Sequence, residues 1–206
     1  MKKRDVNYAF IDSQNLNLGV RSLGWRLDYR KLRLFLKNKY NVEKAFMFIG
    51  MVANNQQLYT ELQSAGFILI FKPTVRYFVN GKETVKGNVD AELVLHAAAI
   101  EYKNYDKAII VSGDGDFACL IQFLEQKDKL LHLMTPNSKY SQLLRPYASY
   151  IVRINQFKNK LGHQKSQHRR SVETLGVSGN GDSSNVAKKS KKVNTANHGH
   201  RRKNEQ

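Results

Sequence analysis

Cysteine is almost missing from this chain: among 206 residues there is only Cys119, which excludes an internal disulfide and any cysteine-based zinc cluster. Its apolar neighbours Phe117, Ala118, Leu120 and Ile121 predict a buried core thiol. Prolines number three, Pro73, Pro136 and Pro146, and the lone tryptophan is Trp25. Long apolar runs are also missing. No stretch approaches the ~20 residues of a membrane-spanning helix, and the opening MKKRDVNYAFID has only a short apolar run interrupted by Asp12, unlike a signal peptide. These absences predict a soluble, cytoplasmic protein with no membrane partner. Negative charge is scarce as well, with 17 Asp and Glu against 34 Lys and Arg, a net of +17. Such a balance favours a polyanion as partner, and nucleic acid ahead of an anionic membrane because no amphipathic anchor is visible.

The basic charge is spread over two unlike regions. Residues 155–206 hold 12 Lys and Arg against 3 Asp and Glu, and after Leu161 they have almost no aromatic or branched apolar residues. Such a segment buries too little apolar surface to offset the entropy of ordering. The sequence therefore predicts one folded domain over 1–155 and a disordered basic tail over 156–206.

Within the first region, strand-like and helix-like segments alternate. Strands are expected at Val6 to Ile11, Ala45 to Ile49 and Phe67 to Phe71. Helices are expected at Tyr29 to Tyr40, opened by Asp28 as N-cap with Leu32, Phe35 and Leu36 on one face, and at Gln56 to Ser64, ended by Gly66. RYFVNGKETV then breaks the alternation with two β-prone arms around Asn80-Gly81, a pair preferred in tight hairpins, so a protruding β-hairpin insertion is expected at 75–87. Further on come an alanine-rich helix from Asp90 to Tyr102 with Leu93, Ala97 and Ile100 inward, a strand at 108–112, and a helix from Phe117 to Lys127. A strand from Leu130 to Met134, a helix from Tyr140 to Ala148 and an edge strand from Tyr150 to Ile154 complete the series. The implied architecture is a three-layer α/β/α sandwich with a mostly parallel central sheet. In such sheets ligands bind where the strand order reverses, here at the tips of the first and fourth strands.

Acids stand at those tips. The run Ala108-Ile109-Ile110-Val111 reads as a strand covered on both faces and ends in Ser112-Gly113-Asp114-Gly115-Asp116, while Phe10-Ile11 run into Asp12 with Asn15 close behind. Asp90 opens the alanine-rich helix, whose start can face the same crevice. Carboxylates crowded together repel unless a proton or a cation separates them, which makes Mg²⁺ or Mn²⁺ a candidate ligand. The other reading of Asp90 is a helix cap, that of Asn15 a local turn former, and that of Ser112 a turn hydrogen bond. His96 and His132 lie in apolar elements and read as core or rim residues.

FIDSQNL at 10–16, KGNVDAEL at 86–93 and IIVSGDGDF at 109–117 together resemble the NYN domain family, PIN-like nucleases that include the LabA-like proteins, over about residues 5–155. The resemblance implies that Asp12, Asp90, Asp114 and Asp116 are the acidic, catalytic metal-site positions and that Asn15 and Ser112 are supporting polar positions. It implies a Mg²⁺- or Mn²⁺-dependent ribonuclease hydrolysing phosphodiester bonds of single-stranded or flexible RNA, with endonucleolytic cleavage favoured because no feature predicts recognition of a strand end. Arg76, Tyr77, Lys82 and Lys86 on the expected hairpin are candidate RNA contacts, phosphates for the bases and stacking for the ring; a solvated hairpin is the other reading. The rival functions are a non-catalytic RNA-binding module of the same fold and a phosphotransferase or phosphatase, for which no G-x-x-x-x-G-K-[ST] loop is present. A homo-oligomer is compatible with the chain.

Overall fold

A computed structural model describes residues 5–52, 55–72, 75–79, 82–86 and 89–163, the two short segments from 75 to 86 by their backbone. The chain divides into two units, Met1–Lys165 and Ser166–Gln206, and the second lies outside the described residues.

The first unit is built on a six-stranded parallel sheet. Its strands are β1 (Asn7–Asp12), β2 (Val42–Gly50), β3 (Ile68–Lys72), β6 (Lys107–Val111), β7 (Leu130–Thr135) and β8 (Ile151–Arg153), in the order β3-β2-β1-β6-β7-β8. Every residue of β1 is buried, as expected of a central strand sandwiched on both faces. Its side chains alternate between two cores. Ala9 and Ile11 pack with Leu16 and Val20 of α1 (Ser13–Arg21), Leu32 and Leu36 of α2 (Tyr29–Tyr40) and Leu62 of α3 (Gln56–Ser64). Tyr8 and Phe10 face the opposite way, toward Leu93 of α4 (Asp90–Leu95) and Leu120, Ile121 and Leu124 of α5 (Ala118–Gln126). Burying each such side chain contributes about 1.5–3 kcal/mol, so the layers hold each other in register. The strand order turns back between β1 and β6, where a crevice forms beyond the carboxyl ends of both.

Asp28 caps α2 by accepting a hydrogen bond from the Lys31 amide at 3.1 Å, and Asn41 closes it in the left-handed region at φ 52°. The hairpin is also present as an antiparallel pair, β4 (Val75–Val79) and β5 (Lys82–Lys86), with Val79 opposite Lys82. Its expected turn, Asn80-Gly81, and Pro73 lie outside the described residues.

Five expectations are corrected. A helix not foreseen, α1, follows Asp12 directly. The alanine-rich helix widens into a π-helical turn at His96–Ile100, where the Glu101 amide donates to the His96 carbonyl at 2.9 Å. That extra residue per turn rotates Ile100 out of the inward stripe, leaving it 53 % exposed while Ala97 is buried. Cys119 is exposed, because the buried stripe of α5 falls on Leu120, Ile121 and Leu124 and bypasses it. The segment Gln142–Tyr150 forms 3₁₀ turns with a kink at Tyr147 instead of an α-helix, since Pro146 has no amide hydrogen and its ring crowds the preceding turn. Finally, the fold continues past residue 155. A 3₁₀ turn (Ile154–Phe157) leads into α6 (Lys158–Leu161), with Ile154 and Leu161 each 1 % exposed and an antiparallel bridge from Leu27 to Gly162. Two apolar anchors and a bridge outweigh the polar composition around them; residues 164–206 of the expected tail lie outside the described residues.

Candidate active site

Asp12 ends β1 and simultaneously caps α1. Its Oδ1 accepts the Asn15 amide at 3.0 Å, while its Oδ2 accepts the Ser112 hydroxyl at 3.2 Å. Ser112, 1 % exposed, also accepts the Asp114 amide at 3.1 Å. The Asn15 side-chain oxygen reaches the Gly113 amide at 2.9 Å. Two segments about a hundred residues apart in sequence are thereby tied tip to tip, and the backbone of the Gly113–Asp116 loop is set relative to Asp12.

Two further carboxylates act on Asp12 electrostatically. Burial, with Asp12 only 5 % exposed, pushes its carboxyl above the usual aspartate range, and the nearby charges of Asp90 and Asp114 push it further. The hydrogen bonds from Asn15 and Ser112 pull in the opposite direction without cancelling the rise. Asp90 stands half-buried in the first turn of α4. Asp116 sits on the 3₁₀ turn Gly115–Phe117, its amide donating to Asp114 Oδ1 at 3.1 Å; its side chain is exposed, and it is not among the charges acting on Asp12. Thus Asp12, Asp90, Asp114, Asn15 and Ser112 converge, with Asp116 at the rim. Glu92 is turned to another task, pairing with Lys72 at 3.0 Å.

The hairpin residues Arg76, Tyr77, Lys82 and Lys86 lie on β4 and β5, and their side chains fall outside the described residues. Among the described residues His96 and His132 each have a buried Nδ1 without a hydrogen-bond partner, and burial lowers the pKa of His132.

The loop beyond β7 braces this site. Ser141 donates its amide to the Gly113 carbonyl at 3.0 Å, and a Cβ on Gly115 would stand 2.3 Å from Ser141 Oγ. Asn137 donates its side-chain amide to the Gly19 carbonyl at 2.8 Å, holding α1 from the other end. Sequence patterning does not reveal these braces, since Asn137 and Ser141 read locally as ordinary turn residues.

An all-oxygen donor set suits hard cations such as Mg²⁺ and Mn²⁺. Among the described residues no three His, Cys, Asp or Glu side chains form a ready-made cation cage.

A parallel α/β/α domain with carboxylates gathered at its strand-order reversal defines the class: a PIN-like, nuclease-type fold. Residues 8–155 match the NYN domain, and the chain belongs to the NYN domain family, whose members are typically nucleases. The chain is 24 % identical over 157 residues to the low amplitude and bright protein LabA of Synechococcus elongatus, covering 73 % of this chain and 84 % of that protein. It also superposes on a crystal structure of a protein of unknown function from Vibrio parahaemolyticus with a TM-score of 0.64, at 22 % identity over 79 % of this chain and 99 % of the other, a likeness of fold. Among the described residues no helix is long and apolar enough to cross a membrane.

Proposed function

We propose that this NYN domain is a Mg²⁺- or Mn²⁺-dependent ribonuclease that cleaves single-stranded or flexible RNA endonucleolytically. The observation that carries this reading is the Asp12 carboxylate, nearly excluded from water and facing Asp90 and Asp114 at the junction of β1 and β6. A desolvated carboxylate beside two others is costly, and a divalent cation turns that cost into affinity.

Asp12, Asp90 and Asp114 would hold the ion, and Asp116 would complete its shell through water. When bound, the ion polarises a phosphoryl oxygen and lowers the pKa of a water molecule. The chain's own residues do the rest. Asn15 and Ser112 hold Asp12 in one orientation, so its oxygens need no rearrangement when substrate arrives. Ser112 and the Asp114 turn fix the opposite wall. The expected products carry a 5′-phosphate and a 3′-hydroxyl. The net charge of +17 supports a phosphate-backbone substrate, drawn in by salt-dependent attraction.

The test incubates the full chain with fluorescent single-stranded RNA and Mn²⁺ or Mg²⁺, beside Asp12→Asn and Asp114→Asn. Wild type is expected to cleave, and each variant to lose on the order of 100-fold or more in rate. Cleavage by the variants at the wild-type rate removes the reading. Binding without cleavage by every form supports an RNA-binding module instead.

A further inference from the structure

Beside the acidic notch lies a cavity of about 620 Å³, within the ~300–1,000 Å³ range of small-ligand pockets. Its position is set by the chain: Ser13 and Gln14, which follow Asp12, and Val89, which precedes Asp90, all line it. Asp12 and Asp90 themselves are not in its lining; their chain neighbours are. Two arginines line this space, Arg21 from the last turn of α1 and Arg26 from the loop before α2. Neither makes a side-chain hydrogen bond or ion pair among the described residues. Arg33 shows the contrast, with its guanidinium engaged by the carbonyls of Gly66, Val42 and Glu43. One carboxylate, Glu61, also lines the cavity, and it accepts a hydrogen bond from Gln57 at 3.2 Å. The rest of the wall is mixed: Leu27, Phe48, Ile49, Val52, Leu58 and Val89 give it an apolar side, while Gln14, Asn17, Asn55 and Tyr29 line it with side-chain polar groups that have no hydrogen-bond partner among the described residues. Donors of this kind, beside two uncommitted guanidiniums, match a phosphate joined to a polar heterocycle.

We infer that this cavity is a nucleotide subsite: it holds the RNA nucleotide adjacent to the scissile bond, with the phosphate at Arg21 and Arg26 and the base edge at the amides of Gln14 and Asn17. The assignment rests on the proposed ribonuclease reading for what lies next to it, and it adds a reason for single-strand preference. A base drawn into such a cavity must be unpaired, because a base inside a duplex has its edge occupied.

The test separates binding from cleavage. Anisotropy of a fluorescent ten-nucleotide single-stranded RNA is measured in EDTA with the full chain, with Arg21→Ala/Arg26→Ala, with Arg21→Lys/Arg26→Lys, and with Lys103→Ala/Lys127→Ala. The last pair removes equal charge from exposed residues at the opposite, amino-terminal ends of the strands. The alanine pair is expected to weaken binding about tenfold or more and to lower the slope of log K against log salt by roughly 0.7, the value for one single-strand phosphate contact. The lysine pair should restore the slope while recovering only part of the affinity. Unchanged melting temperatures exclude misfolding as the cause. Wild-type affinity in the arginine-to-alanine variant overturns the inference, and so does an equal loss in the Lys103/Lys127 pair, which marks diffuse attraction. Wild-type cleavage with Mn²⁺ is scored independently, so the subsite and the nuclease reading fail on different measurements; where cleavage occurs, the alanine pair raises KM with kcat nearly unchanged.

Discussion

The carboxylate of Asp12 is both the chemical centre of the site and a cost to the fold. Its pKa is raised by burial first and by Asp90 and Asp114 after that, so the folded chain holds a proton there more tightly than the unfolded chain does. As pH rises from the ordinary aspartate value of 3.8 through the folded-state value, stability is lost; above that window the full penalty is present. Asp12→Asn keeps an acceptor for the Asn15 amide and removes the charge. In metal-free buffer the variant is therefore expected to be more stable at neutral pH by about 1 kcal/mol, about 3 °C in melting temperature for a chain of this size. The gain should vanish below pH 3.8, as followed by thermal denaturation across pH, and a loss of stability at neutral pH would show that the charge is stabilising. Asp12 and Asp114 stood out in the sequence because each follows the apolar run of a buried strand, Phe10-Ile11 and Ala108-Ile109-Ile110-Val111. Cys119 was misread for a related reason. Apolar neighbours in sequence do not say which side of a helix a residue takes, and the stripe through Leu120, Ile121 and Leu124 leaves it outside.

At the level of elements, the turn after β6 depends on the absence of a side chain at Gly115. A Cβ there would lie 2.3 Å from Ser141 Oγ and 3.0 Å from its Cβ, and Ser141 is not free to retreat because its Oγ accepts the Leu143 amide and its own amide is tied to Gly113. Gly115→Ala is expected to destabilise the fold by about 1–3 kcal/mol through overpacking and to displace Asp114 and Asp116 together. Urea denaturation gives the first quantity; a midpoint within error of wild type would mean that the loop beyond β7 yields easily. Elements with strong local signals were read nearly to the residue: α2 with its Asp28 cap and α3 before Gly66 match throughout. The first helix was missed because its residues, SQNLNLGVR, include three poor helix formers in Asn15, Asn17 and Gly19. It forms because Asp12 caps it and Leu16 and Val20 are buried against the sheet. The π-turn at His96–Ile100 has no local signature either, and it moved Ile100 to the surface.

Across the whole molecule, the last described residues close the domain. Leu161 and Ile154 enter the same core as Leu32 and Leu36, and Lys31 reaches back to the Gly162 carbonyl at 2.9 Å. A chain ending at residue 155 is therefore expected to be less stable than one ending at residue 163 by about 2–5 kcal/mol, the cost of emptying a leucine-sized core site. Equal denaturation midpoints for the two would show that α6 contributes nothing. Composition set the expected boundary too early, because it averages over a polar segment in which one buried leucine outweighs its neighbours.

The order of strands, the helices α2 and α3, the parallel sheet, the hairpin and the acids at the strand tips followed from local patterning, since apolar period, caps and turn residues act within a few positions of one another. The closure of α6 on the core, the brace of Ser141 on the Gly113–Asp116 loop and the cavity shared by Arg21, Arg26 and Gln14 did not follow. Each joins segments brought together only by packing, and the energy that selects such contacts is spread over the whole core, so no short stretch of residues records it.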